Sequence, residues 1–343
     1  MREVKEVETG AWRRLASLRN QERGSVLPLM ALSLATLLGF GALVTDVGFL
    51  YLQRRILQNA ADAAALAGAH ELPDTPGAAQ SVARDYARRN GVSGPGDMVF
   101  TEIVTTFVEN DSLLVTATRS TPLFFAGVLG IGEGEVSASA TAVTGMLGST
   151  RGVLPFGVRN PTDVPGCDPL TEFCFDFGEV ATLKSGPGGQ YLGNFQALAI
   201  DGPGADVYRR TIHSGSLTSV TAGSYVPTET GNLVGPTRQG LQDRLSGNTQ
   251  TFSDVVQPPQ DGGSYVILDP NSPRLVLIPI IQELVGPNED VLVQGFGLFF
   301  VDDTEFQGND TYLYGYFVDA TLRAGDFAPL NVNYGTRKVR LIQ

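Results

Sequence analysis

The strongest pattern along the chain is an apolar run near its start, Ser25–Thr45, which contains no charged residue. A helix rises about 1.5 Å per residue, so this run is long enough to cross a hydrocarbon core of roughly 30 Å. Alanine-rich, helix-favouring sequence follows as far as Pro73. We therefore predict a tail over residues 1–24, a transmembrane helix over 25–50 and an alanine-rich stalk helix over 51–74.

The periodicity changes after the stalk. A further helix pattern begins at Pro76, and two β-branched segments joined by a polar turn then follow. The apolar stretch Thr121–Gly130 opens with a Thr-Pro pair and is too short to cross a membrane, so we expect a buried helix there. These elements predict a small α-β-β-α-β domain over residues 75–145, followed by a linker of small residues at 146–152.

The remaining residues, 153–343, are rich in turns and in segments that are apolar on both faces. Such segments are typical of buried central strands. They are Ser272–Ile281, Asp290–Asp302, Tyr312–Leu322 and Thr336–Ile342. The 41 glycines and 20 prolines of the chain also favour many turns. We predict a mainly β, sandwich-like domain here, and an α+β fold class for the whole chain.

Charge restricts the partners and predicts an orientation. The net charge is −12, and residues 153–343 hold 21 acidic and 11 basic side chains, so we expect no nucleic acid among the partners. Six Lys or Arg residues precede the apolar run, whereas Arg54 and Arg55 are the nearest basic residues after it. This bias predicts a cytoplasmic N-terminus and a C-terminal domain across the membrane. A cleaved signal peptide is the alternative, but its apolar core is usually shorter and closely followed by small residues.

The chain has two cysteines, Cys167 and Cys174. In an exported chain, a pair this close predicts a disulfide that closes a small loop. In a cytosolic chain the same pair would be free thiols, and the sequence leaves that alternative open.

No residue pattern predicts catalysis, a cofactor or a metal site. His70 and His213 are the only histidines, and no G-x-S-x-G motif accompanies them. The acidic residues between positions 302 and 310 do not follow the spacing of an EF-hand. We therefore expect a protein that is not an enzyme and that uses no cofactor.

A more specific pattern surrounds the apolar run. Arg23 and Gly24 precede it, an Asp-Val-Gly triplet begins at Asp46, and Arg54 and Arg55 lead into the alanine-rich segment. This arrangement resembles the N-terminal segment of TadE/TadG-like proteins of the tight-adherence (Flp, type IVb) pilus system. The resemblance implies a single-pass component of the bacterial cytoplasmic (inner) membrane that presents a β-rich domain outside. Its partners would be other pilus or secretion components and the lipid bilayer, and the five residues named here would flank the membrane.

Other positions refine what the resemblance implies. Leu29 stands five residues after Gly24, where type IVb prepilins carry a glutamate, so prepilin-type processing is not implied. Asp46 has two interpretations: a carboxylate in contact with water at the membrane surface, or a partner for another subunit inside the membrane. The small alanines of the stalk would let a second helix approach closely, so self-association through them is a further expectation.

An envelope-anchored adhesin or carbohydrate-binding module is the alternative function. Tyr312, Tyr314 and Tyr316 alternate along one predicted strand, so all three can share one face. Such a row of aromatic side chains binds sugars in some proteins and packs in the core in others, and the sequence leaves both interpretations open.

Overall fold

The computed structural model describes residues 26–185, 195–231, 233–259, 264–283, 289–308, 310–329 and 332–342. The predicted N-terminal tail, with Arg23 and Gly24, lies outside the described residues. Helices dominate the first part of the described chain and strands the remainder, which confirms the predicted α+β fold class.

The helices and strands of the described residues are labelled in chain order. The helices are α1 (Val26–Ala69), α2 (Pro76–Arg89), α3 (Ala205–Ser214), α4 (Val234–Leu245) and α5 (Phe252–Val255). The first eight strands are β1 (Met98–Val104), β2 (Ser112–Pro122), β3 (Glu133–Thr150), β4 (Phe156–Arg159), β5 (Val180–Ser185), β6 (Phe195–Ala197), β7 (Val220–Thr221) and β8 (Tyr225–Pro227). The others are β9 (Val256–Gln257), β10 (Val266–Ile267), β11 (Leu275–Ile281), β12 (Asp290–Gln307), β13 (Asp310–Val318), β14 (Ala320–Thr321), β15 (Asp326–Ala328) and β16 (Thr336–Ile342).

The chain divides into two compact units. The first, called here the helix–hairpin unit, comprises the residues up to Leu57 together with Thr118–Ser137. The second, called here the main unit, comprises Gln58–Ala117 and Ala138–Gln343.

In the helix–hairpin unit, the first half of α1 is apolar and exposed. Among the described residues, α1 is the one helix long and apolar enough to cross a membrane. Its most apolar stretch has a mean hydropathy of 2.1, and none of that stretch is buried. The residues of this stretch bring no charge that would oppose entry into lipid, so α1 is a candidate membrane span.

The prediction of a buried helix at Thr121–Gly130 is wrong. These residues form the tip of a hairpin between β2 and β3, with only a short 3-10 turn at Ala126–Leu129. Phe124 and Phe125 are 61% and 48% exposed. Hydrogen bonds across the hairpin and to α1, rather than helical turns, hold this apolar backbone.

In the main unit, α1 ends at Ala69 and its small residues are buried. The alanines without exposed surface are Ala60, Ala61, Ala64, Ala65 and Ala69. A Cβ on Gly68 would lie 2.6 Å from the carbonyl oxygen of Ala79 in α2 and 2.3 Å from Leu113 of β2. The small residues therefore admit elements of the same chain. The predicted stalk at 51–74 is helical as far as Ala69 and packs on α2 and β2, and self-association through its small residues stays a prediction.

The first sheet of the main unit joins distant parts of the chain. Its strand order is β1-β2-β3-β16-β14, and β7 and β15 also pair with β3. β16 runs antiparallel to β3, with Val339 opposite Thr144. Strands β1 to β3, from residues 98–150, thus share one sheet with the last strand of the described chain.

The predicted linker at 146–152 is wrong over residues 146–150, which belong to β3. Gly145 and Gly148 lie beneath β15 in this strand. A Cβ on Gly145 would meet the ring of Phe327 at 2.4 Å. Small residues here make room for a packed strand and not for a flexible connection.

The second sheet forms the centre of the main unit. Its order is β5-β13-β12-β11-β4-β6, and β8 also pairs with β12. The long strand β12 lies antiparallel to both β11 and β13, and its middle is buried on both faces. Phe156, Phe299 and Phe317 pack in the core against this sheet. Three of the four apolar segments predicted as central strands therefore match β11, β12 and β13, whereas Thr336–Ile342 forms the partly exposed β16 of the first sheet.

Candidate functional site

The candidate site of the helix–hairpin unit is the Asp46 site, where the side chain of Asp46 on α1 meets the hairpin tip. Its Oδ1 accepts hydrogen bonds from the backbone N–H groups of Phe124 (2.9 Å) and Phe125 (3.3 Å). Its Oδ2 accepts from Phe125 (3.0 Å) and Ala126 (2.7 Å). These N–H groups lie at the start of the 3-10 turn, where a helical turn offers them no acceptor, so the carboxylate of Asp46 accepts from them instead.

Apolar and polar contacts extend the Asp46 site along α1. The rings of Phe49 and Phe124 meet edge to face, with centroids 5.3 Å apart. Further along, the Arg119 guanidinium donates a 2.8 Å hydrogen bond to the Gln53 side chain. The hairpin therefore contacts α1 from Asp46 to Gln53, which is about two helical turns.

The backbone of the hairpin tip is closed by its own hydrogen bonds. The N–H of Leu123 donates to the carbonyl of Gly132 (3.0 Å), and the N–H of Ile131 donates to the carbonyl of Ala126 (3.1 Å). Gly130 adopts φ +87°, a left-handed conformation that favours glycine. The tip is thus a defined loop whose large apolar side chains nevertheless remain exposed.

Neither of the two interpretations of Asp46, contact with water or pairing with another subunit, describes the contacts that its side chain makes in this structure. Its side chain accepts bonds from the same chain and the residue is only 4% exposed. The partner is a loop 78 residues later, which no local pattern announces. Arg54 and Arg55 are exposed on α1, and their role and that of Asp46 in flanking a membrane stay predictions.

The main unit holds a buried ionic cluster that the sequence did not indicate. Arg337 of β16 donates through Nε to Asp319 at 2.8 and 3.1 Å and through a terminal nitrogen to the carbonyl of Leu72 at 2.9 Å. A further bond joins Arg337 to Asp74, and Asn333 donates to Asp319 at 2.8 Å. Arg337 therefore ties the last strand to the turn after α1.

The charges of this cluster shift two pKa values. Burial alone would lower the pKa of Arg337, but the carboxylates of Asp319 and Asp74 outweigh it and raise that pKa, so the guanidinium stays charged. Burial, assisted by the charge of Arg337, lowers the pKa of His70 below 6.5. The His70 Nδ1 lies 3.0 Å from the hydroxyl of Thr321. The charged Arg337 and its partners therefore stabilise the contact between β16 and the turn after α1.

Cys167 and Cys174 form a disulfide, with their Cα atoms 5.8 Å apart. The buried side chain of Asn160 organises the loop that the disulfide closes. Its amide donates to the carbonyls of Pro169 (3.0 Å) and Glu172 (2.6 Å), and its oxygen accepts from the N–H of Cys174 (2.9 Å). The disulfide prediction is confirmed, whereas the role of Asn160 was not foreseen.

The three tyrosines of β13 alternate with buried residues and share one face. The rings of Tyr312 and Tyr314 are nearly parallel, at 10°, with centroids 6.4 Å apart. Tyr316 instead packs on Phe252, at 4.5 Å between centroids. Two of the three tyrosines thus form a flat aromatic pair and the third joins the core.

Among the residues that the structure describes, no three His, Cys, Asp or Glu side chains are grouped so that they could hold a metal ion. His213 lies exposed at the end of α3.

The described parts define a class of protein: a β-rich main unit joined to a long helix whose first half is a candidate membrane anchor. Residues 24–71 match the family model for Flp pilus-assembly TadE/G-like proteins, and residues 67–142 match that for Tad-like Flp pilus-assembly proteins. The matched residues, 24–142, make up about a third of the chain and are similar to TadE/TadG-like proteins, and the match supports a role in Flp pilus assembly. No curated protein and no solved structure matches the chain.

Proposed function

We propose that the chain is a non-enzymatic, membrane-anchored component of Flp pilus assembly, with the main unit outside the cytoplasm. Its partners are other components of the same pilus system. The observation that carries this proposal is the exposed, uncharged first half of α1, which lies inside the segment matched by the TadE/G-like family. An apolar surface of this length is unfavourable in water and favourable in lipid.

The orientation is part of the proposal. The basic residues before α1 outnumber the exposed pair Arg54 and Arg55 after its apolar half, which supports a cytoplasmic N-terminus. A C-terminal alkaline phosphatase fusion tests it, because that enzyme is active only outside the cytoplasm. Activity is expected from the C-terminal fusion and not from a matched N-terminal fusion, and the reverse result would contradict the orientation.

The role in pilus assembly is tested by deletion. Loss of the gene is expected to remove Flp pili counted by electron microscopy, and the full-length chain should restore them. Leu37→Arg places a charge in the apolar half of α1, where insertion costs about 2.5–3.5 kcal/mol, so this variant should fail to restore pili. Leu217→Arg, at an 80% exposed position in the main unit, is the matched control. Normal pili and surface attachment without the gene would contradict the proposal.

A second candidate function, sugar binding, is favoured by the flat tyrosine pair. The hydroxyl of Tyr314 donates to Glu305 at 2.9 Å, and the ammonium of Lys184 lies 5.5 Å from the ring of Tyr312. Parallel rings with polar neighbours offer both an apolar face and hydrogen-bonding groups to a sugar.

A glycan array probed with the full-length chain in detergent micelles tests this second function. Retention should disappear in the double variant Tyr312→Ala and Tyr314→Ala. It should persist in Tyr225→Ala, which removes a 66% exposed tyrosine elsewhere in the main unit. Equal retention of all three chains, or of none, would count against sugar binding at this pair.

A further inference from the structure

We propose that the hairpin tip, residues 123–131, enters the same membrane interface as the outer end of α1 and is a second membrane contact that does not span. The proposal rests on the proposed membrane anchor and adds to it. The occupant of the exposed apolar tip is therefore the bilayer itself, and not another protein.

The first argument is the apolar surface of the tip. Phe124, Phe125 and Ile131 are all about half exposed or more, at 61%, 48% and 55%. No charged residue occurs between Thr121 and Gly132. Exposed apolar patches on one loop indicate a binding surface, and phenylalanine and leucine are among the residues that interfacial segments bury in the membrane surface.

The second argument is the position of the tip along α1. Asp46 is the first charged residue after the apolar run, and Phe124 packs on Phe49 less than one helical turn beyond it. The tip therefore lies where α1 leaves the hydrocarbon. Val44 and Val47, on either side of Asp46 in α1, are also exposed, at 70% and 55%.

The third argument is that the helix and the hairpin become polar at the same level. Arg119 bonds to Gln53, which stands seven residues, or about 10 Å, beyond Asp46 on α1. Ser120 donates a 2.5 Å hydrogen bond to Glu133 across the hairpin at its base. Apart from Asp46, whose carboxylate is bonded to the tip itself, charged groups thus begin behind the tip on both elements, as a shared boundary with water requires.

The fourth argument concerns the backbone. An N–H group without a partner is costly in lipid, so irregular backbone enters a membrane only when its polar groups are satisfied. At the tip, Asp46 accepts from the N–H groups of residues 124–126, and the hairpin itself satisfies those of Leu123 and Ile131. The Asp46 site thus provides an acceptor for three N–H groups of the tip, which lowers the cost of its entry into the interface.

Depth-dependent quenching of tryptophan fluorescence tests the proposal on the full-length chain in phosphatidylcholine–phosphatidylglycerol vesicles. Trp12 is the only tryptophan, so Trp12→Phe provides a silent background. Phe124→Trp and Phe125→Trp each place a probe in the tip. Phe125→Trp is included because Phe124→Trp alters the ring that packs on Phe49. Leu37→Trp reports on the anchor, and Leu217→Trp, 80% exposed in the main unit, is the aqueous control.

The tip probes are expected to shift their emission to the blue and to lose fluorescence to lipids brominated near the headgroup more than to lipids brominated deep in the chain. Leu37→Trp should be quenched more by the deep bromines, and Leu217→Trp by aqueous iodide alone. If Leu37→Trp is quenched by lipid while both tip probes behave like Leu217→Trp, the proposal is overturned and the anchor stands. If Leu37→Trp is not quenched by lipid, the anchor fails and this proposal fails with it.

Adding Asp46→Ala to the Phe125→Trp chain separates the structural argument from apolarity alone. Without the carboxylate, the N–H groups of the tip lose their acceptor, and quenching of the tip probe by lipid should decrease while that of Leu37→Trp is kept. Unchanged quenching at both positions would overturn the part assigned to Asp46.

Discussion

Replacing Arg337 by methionine should destabilise the main unit strongly, because it leaves a buried carboxylate without its partner. The side chain of Arg337 is 5% exposed and that of Asp319 is 10% exposed. Methionine keeps much of the apolar length of the arginine but none of its five donors. The change therefore tests the ionic contacts more than the packing.

The magnitude follows from the three acceptors that lose a donor. Breaking one side of a buried ion pair costs about 3–5 kcal/mol, and the Arg337–Asp319 pair belongs to this class. The Asp74 side chain is 53% exposed, so its contact adds only about 0–1 kcal/mol. The carbonyl of Leu72 also loses its donor. We expect a loss of about 3–5 kcal/mol, which lowers the melting temperature by roughly 6–20 °C for a unit of this size.

Thermal unfolding of the full-length chain in detergent micelles, followed by circular dichroism, measures this loss. Arg340→Met is the matched control on the same strand, since its guanidinium lies 4.0 Å above the ring of Phe327 and such a contact is worth about 0.5–1 kcal/mol. Adding Asp319→Leu to Arg337→Met should recover part of the loss by removing the stranded charge. A melting temperature for Arg337→Met no lower than that of Arg340→Met would refute the reasoning.

Further predictions concern the histidine beside this cluster and the disulfide loop. The pKa of His70 is lowered below 6.5, so the unfolded chain binds the proton more readily, and the stability contributed by neutral His70 is lost as the pH falls below about 6.5. His70→Gln should flatten this part of a melting-temperature profile against pH, and the exposed His213→Gln should not. Cys167→Ser removes a disulfide between cysteines seven residues apart. A loop of this length stabilises the folded state by about 2.5 kcal/mol, so denaturant unfolding should show a loss of unfolding free energy no larger than this. With the disulfide intact, Asn160→Ala should still destabilise the loop by about 1–3 kcal/mol in the same assay, because two carbonyls and one N–H lose their partner.

The sequence was sufficient for elements whose pattern is local. The candidate span in α1 follows from an uncharged run, and the predicted strand Thr336–Ile342 coincides with β16, in which the β-branched residues Thr336, Val339 and Ile342 favour an extended backbone. The disulfide also followed from spacing and context. In each case the residues that decide the structure are neighbours in the chain.

The sequence failed where apolarity or small size has more than one structural cause. Thr121–Gly130 is as apolar as a core helix, yet its partner is the carboxylate of Asp46, far away in the chain. Gly145 and Gly148 suggested a linker, whereas they make room for β15. The small residues of α1 predicted the close approach of a second helix, but not that α2 and Leu113 of the same chain would be the partners of Gly68. Long-range pairing selects among these causes, and a local pattern does not contain it.

The same long-range pairing bears on the predicted boundary between a small domain at 75–145 and a β-rich domain from 153. The family match ends at residue 142, yet β3 continues to Thr150 and pairs with β16 from Thr141 to Met146. A chain cut at the boundary would expose β3 as a long, apolar edge strand, which is prone to aggregate. It would also leave Leu72 and Asp74 without Arg337. We therefore infer that the matched residues, 24–142, fold together with the C-terminal strands, because β16 is the neighbour of β3 in the first sheet.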